Sequence, residues 1–292
     1  MSETPASLNR KITSATDLES VVRTMKAVAA SSISQYESAV SSLDDYYRTV
    51  QLGLAACFKD RASAGGQDMH KEGGTIGAIV FGSDQGLVGQ FNDLLVEFVI
   101  DTLDKLPGKK KVWAVGERIQ SRLTDSDLPL GQSFTLPTSI NEITPLISHV
   151  LLEMQARREQ GEITQVYLFH NRPKSGSIYE PASLRLLPLD HTWQSNLAAM
   201  PWPSNNLPEV INGVQHTLPA LIAEYLFVSL FRACAESLAS ENASRLAAMQ
   251  RAEKNIGEQL EDLNRDFHRL RQSAIDEELF DVVSGFEALG KP

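Results

Sequence analysis

Cysteine is scarce in this chain. Only Cys57 and Cys234 occur in 292 residues, too few for a disulfide framework and without metal-ligand spacing, so two buried, reduced thiols are the expectation. Basic charge is also short. Lys and Arg total 27 against 37 Asp and Glu, a formal net charge of -10. The longest lysine run, Lys109-Lys110-Lys111, precedes an apolar strand and reads as a solvated turn. Phosphate recognition needs a clustered basic surface, so nucleic acid is excluded as a partner. No window reaches the ~18 uninterrupted apolar residues that span a bilayer, and Met1 to Arg10 lacks the apolar core of a secretion signal. Membrane association would therefore be peripheral, with no direct span. The six histidines, His70, His149, His170, His191, His216 and His268, never reach the spacing of a helical or hairpin metal pair. Surface or satisfied positions are expected for each.

Glycine and proline are missing from Ala6 to Leu52, and from Ala220 to Ser284 the only breaker is Gly257. What fills these stretches is periodic. In the first, Val22, Met25, Ala29, Ser32, Tyr36, Val40, Leu43, Tyr47, Val50 and Leu54 recur in steps of three and four; in the second, Leu246, Met249, Glu253, Ile256, Leu260, Leu263, Phe267, Leu270 and Ala274 do the same. A helix of about 45 residues extends roughly 70 Å at 1.5 Å per residue, more than a small domain can cover, so each needs a partner. Each seam supplies the other's. Both helices flank the same central segment, and if they leave it on one side they pair antiparallel, with both chain ends along one projecting rod.

The segment between them reads as α/β. Thr75 to Phe81, Lys111 to Val115 and Gln165 to His170 are strand-like, with Leu184 to Leu189 as an edge strand bounded by Pro181 and Pro188. Asn92 to Leu106, a stretch from Glu117, and Asn141 to Gln160 are helix-like. Alternating elements of this kind imply a mostly parallel, Rossmann-like sheet covered by helices. Gly65 to Gly74 and the Pro-rich Met200 to Pro208 read as linkers. The expected division is residues 1–60 for the first coiled-coil helix, 73–206 for the α/β domain and 209–289 for the last helix.

The loop from Gly82 to Asn92 follows a strand and opens a helix, where α/β folds bind phosphates. Its chemistry argues otherwise. A P-loop needs Lys and then Ser or Thr after its last glycine, whereas Gln90 follows Gly89, and the dinucleotide spacing is absent too. The glycines then serve turn geometry, with Asn92 capping the helix start. No Gly-x-Ser-x-Gly elbow surrounds Ser83, so it is not read as a nucleophile. No catalytic, cofactor-binding or metal-ligating residue is assigned.

Three ordered segments, Met25-Lys-Ala-Val-Ala-Ala30 on the first helix, Ser83-Asp-Gln-Gly-Leu-Val-Gly-Gln-Phe-Asn92 in the central loop and Glu241 to Leu289 on the last helix, resemble signatures of the gamma subunits of F-type ATP synthases. The C-terminal segment matches most strongly, through Glu241-Asn-Ala-Ser-Arg-Leu-Ala-Ala-Met249, Asn264, Arg271-Gln272, Ala274-Ile275, Glu278-Leu279, Val282-Val283, Gly285 and Glu287-Ala-Leu289. Gln85 and Val88 stand where the family usually has Arg and Cys, which suggests a divergent branch such as the alternative bacterial ATPases. The cysteine insert of chloroplast gamma subunits is missing. The resemblance implies a non-catalytic rotor shaft coupling ion flow to ATP chemistry on other subunits, at the cytoplasmic face of a bacterial inner membrane. It implies contacts of Met25, Lys26, Arg271 and Gln272 with the beta subunit, and of Phe280, Val283 and Phe286 with an apolar sleeve. Alpha and beta subunits, epsilon and the membrane c-ring are the implied partners. A coiled-coil adaptor or chaperone is the alternative, and an α/β enzyme using the Gly82 to Asn92 loop is a third.

Overall fold

The computed structural model describes residues 4–63, 74–175, 177–189, 191–204, 206, 208–211 and 213–289, without the side chains of 60–63, 177, 191–192 and 285–289. The expected linker from Gly65 to Gly74 lies outside the described residues except for Gly74, and so does His70. The elements in chain order are α1 (Pro5–Ser63), β1 (Ile76–Phe81), α2 (Phe91–Asp104), β2 (Lys110–Val115), α3 (Glu117–Thr124), β3 (Leu130–Phe134), a 3-10 turn (Ile140–Glu142), α4 (Ile143–Glu159), β4 (Gln165–Lys174), β5 (Ser177–Leu187), α5 (His191–Ala198) and α6 (Val214–Leu289). Two compact units emerge, one of Met1–Ala29 with Leu246–Pro292 and one of Ala30–Arg245. Both long helices contribute to each.

The larger unit is built on a five-stranded sheet of order β3-β2-β1-β4-β5. β1 pairs parallel with β2 and β4, β2 parallel with β3, and β4 antiparallel with β5. All six β1 residues are buried because both faces of the sheet are covered. On one face Ile76, Ala78 and Val80 pack with Leu95, Val99 and Leu103 of α2 and Ile119 and Leu123 of α3. On the other, Ile79, Phe81 and Leu168 pack with Ile147 and Met154 of α4, Leu54 and Phe58 of α1 and Leu230 and Leu238 of α6. By length and composition α6 is apolar enough to cross a membrane. Its residues Leu218, Tyr225, Leu226, Leu230, Ala233 and Leu238 are instead buried in this core.

In the smaller unit the seams meet as their spacing predicts. Val22, Met249 and Ile256 are buried together, with Ala15, Met25, Ala252 and Leu260 packed against them. Lys26 reaches Glu253 while Arg10 and Lys11 lie beside Asp262 and Leu263, so the chain ascends one helix as it descends the other. The pair is antiparallel. Glu253, the acid inside an apolar seam, is accounted for by Lys26 Nζ at 2.6 Å and Arg23 Nε at 3.5 Å.

Local differences from expectation have physical causes. Asn92 does not cap α2, whose first residue is Phe91; its amide donates to Ser83 Oγ at 2.8 Å and its carbonyl oxygen accepts from Ser83 N–H at 3.1 Å. Pro181 does not bound the edge strand but sits inside β5 opposite Asn171, and an edge strand tolerates a missing N–H. α6 begins at Val214 with Pro219 inside it, upstream of Ala220.

Candidate functional site

The residues singled out in the sequence fall at two places on the smaller unit. Met25 and Lys26 sit on α1 within the paired region, half-buried, with Met25 against the apolar cluster and Lys26 held by Glu253. That contact also holds the Glu253 carboxyl below its usual range, chiefly through its hydrogen bond with Lys26. Arg271 and Gln272 lie on α6 about 27 Å further along the helix than Glu253, at 1.5 Å per residue. The structure does not bring the two sets together.

Past Leu270 every α6 residue through Ser284 is exposed. The seam expectation fails at Ala274 for a simple reason: α1 starts at Pro5, and with Lys11 beside Asp262 it has no turns left to cover it. The uncovered helix is nevertheless apolar. Ile275 is 53% exposed, Leu279 62%, Phe280 70% and Val282 71%. At 3.6 residues per turn Ile275, Leu279 and Val282 share one face, with Arg271, Gln272 and Val283 flanking it and Glu277 and Asp281 on the back. Phe280 lies round the helix from this stripe. The side chain of Phe286 is outside those described. Among the described residues nothing covers this amphipathic stretch, and exposed apolar patches are where soluble proteins commonly meet partners.

The glycine-rich loop is tied to its own domain. Asp84 Oδ1 accepts from the Glu117 N–H at 2.9 Å and its Oδ2 from the Leu136 N–H at 3.2 Å, which uses the start of α3 where an anion would otherwise bind. Gly116, at φ 118, allows this: an added Cβ would stand 2.7 Å from the Ser83 carbonyl oxygen. On the far side, Ser244 of α6 donates to the Val88 carbonyl at 2.7 Å.

Ionic contacts within the larger unit were missed from sequence. His170 Nε2 lies 2.9 Å from Glu236, whose other oxygen accepts from Arg232 Nε at 2.8 Å; Arg232 also donates to Asp44 at 3.0 Å. Although burial opposes it, hydrogen bonds from His170 and Arg232 leave the Glu236 carboxyl below its usual range. These groups, with Arg172 and Glu180, line an open groove of about 760 Å³ between α1, α6, β4 and β5. Arg172 is paired to Glu180 in turn, so the groove's cations are already matched to acids. The signal for such pairs was present, since Arg232 and Glu236, like Glu241 and Arg245, stand four apart on an otherwise apolar helix. Cys57 and Cys234 are both buried and are not joined in a disulfide, and burial pushes the Cys234 thiol up, away from the reactive thiolate. Among the described residues no group of three or more His, Cys, Asp or Glu is placed to hold a metal ion.

A profile of the family described as ATP synthase matches residues 4–289. The ATP synthase gamma chain of Syntrophus aciditrophicus is 28% identical over 303 residues, covering 97% of this chain and 98% of the relative. That of Desulfitobacterium hafniense is 26% identical over 295 residues, with coverage of 97% and 98%. Among solved structures, a chain of the Tetrahymena thermophila mitochondrial ATP synthase central stalk and c-ring aligns with TM-score 0.58 and 24% identity, over 80% of this chain and 99% of that one. A chain of the Euglena gracilis mitochondrial ATP synthase rotor aligns with TM-score 0.62 and 16% identity, over 93% and 99%. At these identities the structural likeness establishes the fold.

Proposed function

The chain belongs to the ATP synthase family, and from that premise we propose that it is a gamma subunit, the central shaft that couples ion translocation to ATP synthesis or hydrolysis by rotation. The observation that carries this is the change along α6 in the smaller unit. The helix is paired with α1 as far as Leu270 and then runs single, exposed and apolar through Ile275, Leu279, Val282 and Val283. A helix end of that composition calls for an apolar collar, and a ring of alpha and beta subunits supplies one. The match of curated gamma chains over 97% of the chain supports the same reading.

In this account the chain performs no catalysis of its own. Its asymmetry does the coupling: one face of the shaft meets each beta subunit differently, so the three sites are held in different states by differential contacts. Arg271 and Gln272, exposed beside the apolar stripe, catch on beta through charge-assisted and polar hydrogen bonds. Met25 and Lys26 lie where beta pushes on the paired helices. Phe280, Val283 and Phe286 contact the apolar collar. Contacts of this kind must be weak individually, because a shaft that docked deeply into one beta subunit would not turn. The α/β domain rests on epsilon and the c-ring, which puts the chain at the cytoplasmic face of a bacterial inner membrane without spanning it.

The test is co-expression with the alpha and beta subunits of the same source. The proposal expects one copy of this chain per three alpha–beta pairs and ATP hydrolysis that depends on its presence. A chain that purified alone, leaving alpha–beta turnover untouched, would point to an adaptor instead.

A further inference from the structure

In the smaller unit, the pairing of α1 with α6 carries an ionic contact at a place where packing alone expects an apolar side chain. Glu253 holds a seam position between Met249 and Ile256, both of which are buried. It accepts from Lys26 Nζ at 2.6 Å and from Arg23 Nε at 3.5 Å, while Arg23 Nη2 donates to Glu19 at 2.9 Å. One carboxylate thus joins two cations of the facing helix. With the Arg23 side chain 64% exposed and that of Lys26 35%, contacts this open to water add little to stability. Their value lies in choosing a register.

The apolar part of the seam chooses poorly. Ala15 of α1 and Ala248 and Ala252 of α6 line it beside Val22, Met25, Met249 and Ile256, and small side chains fit a shifted partner almost as well as the native one. A shift that keeps the seam in phase moves one helix by about seven residues. It would set Glu253 opposite Ala30 and Ile33, or opposite Thr16 and Glu19. Neither pair offers a cation, and the second adds a like charge. Lys and Arg are absent from Ile12 to Val22 and again from Ala27 to Tyr47, so of these registers the native one alone supplies the carboxylate with partners.

We propose that Glu253, through Lys26 and Arg23, is the register determinant of the α1–α6 pair, a positioning residue that supplies uniqueness rather than stability. A polar group at one seam position of a coiled coil has this effect because every other register leaves it unpaired. Under the shaft reading the two helices then turn as one body, and that consequence alone rests on the reading. The register is a property of the chain by itself, so its failure and that of the shaft are told apart.

Spin labels at Thr13→Cys and Gln250→Cys, both exposed and outside the network, report the register of the full chain by pulsed distance measurement, since Cys57 and Cys234 are buried. The labelled parent should give one distance. Glu253→Leu completes the apolar seam, so its urea midpoint should be no lower, yet a second distance should appear, displaced by about 10 Å for a shift of one heptad. Lys26→Glu alone should also lose the single distance, and Lys26→Glu combined with Glu253→Lys should recover it. A single unchanged distance in Glu253→Leu, or an exchanged pair that behaves like Lys26→Glu, would overturn the proposal.

Discussion

Individual polar residues in this chain are placed by burial more than by motif. Glu236 illustrates it, since it joins His170 of β4 and Arg232 of α6 inside the domain, with Asp44 of α1 one contact further on. Removing its charge leaves a buried imidazole and a half-exposed guanidinium short of an acceptor. Glu236→Gln should destabilise the chain by about 1–3 kcal/mol in urea unfolding at pH 7. Because the folded pKa of Glu236 is lowered, its contribution is present above the unfolded value near 4.5 and is lost as pH falls below it. The gap between wild type and variant should therefore narrow in acid; a constant gap would mean that packing, not charge, was lost. In the sequence only the spacing of Arg232 and Glu236 hinted at it, because His170 and Asp44 are distant along the chain. Asn92 makes the same point: its place at the start of a helix-like stretch suggested a cap, whereas its side chain bonds to Ser83 and staples the loop closed.

At the scale of elements, periodicity was readable wherever one face of a helix is buried. Each seam position read from Val22 to Leu54 of α1 is buried or half-buried, and on α6 the pattern holds from Leu246 to Leu270. β1, β2 and β4 were equally plain, as short apolar runs buried on both faces. β3 was not, because Leu130-Gly-Gln-Ser-Phe134 has neither alternation nor β-branching. Gly131 is there for Trp113: an added Cβ would lie 2.9 Å from the indole. α5 was missed as well, an eight-residue helix between two Pro-bearing segments. The single end of α6 supports a prediction of its own. Leu279 and Val283 touch solvent, so the double substitution Leu279→Ser with Val283→Ser should leave unfolding within about 0.5 kcal/mol of wild type. It should nevertheless weaken assembly with alpha and beta. A large loss of stability with assembly unchanged would show that the stripe packs on this chain.

At the scale of the whole molecule, the chain joins two solutions to the same problem. Each of the two long helices is too long for a small domain to cover, so part of its apolar face is buried on a sheet in the larger unit and part on the other helix in the smaller one. The remainder of α6, from Arg271 to Ser284, is exposed. The resemblance seen in three short motifs extends over residues 4–289 in the family profile, and the gamma chains of Desulfitobacterium hafniense and Syntrophus aciditrophicus align over 97% of the chain at 26% and 28% identity. The central claim is that this chain turns inside a ring of catalytic subunits, and rotation can be watched. Cys57 and Cys234 are buried, so Asp101→Cys, on an exposed turn of α2, offers an accessible thiol for a single probe. With the alpha–beta ring fixed to a surface and ATP added, the account predicts continuous rotation of the probe in one direction, stopping when ATP is withdrawn. A probe that stayed still, or only fluctuated without direction, in complexes that hydrolyse ATP would contradict it.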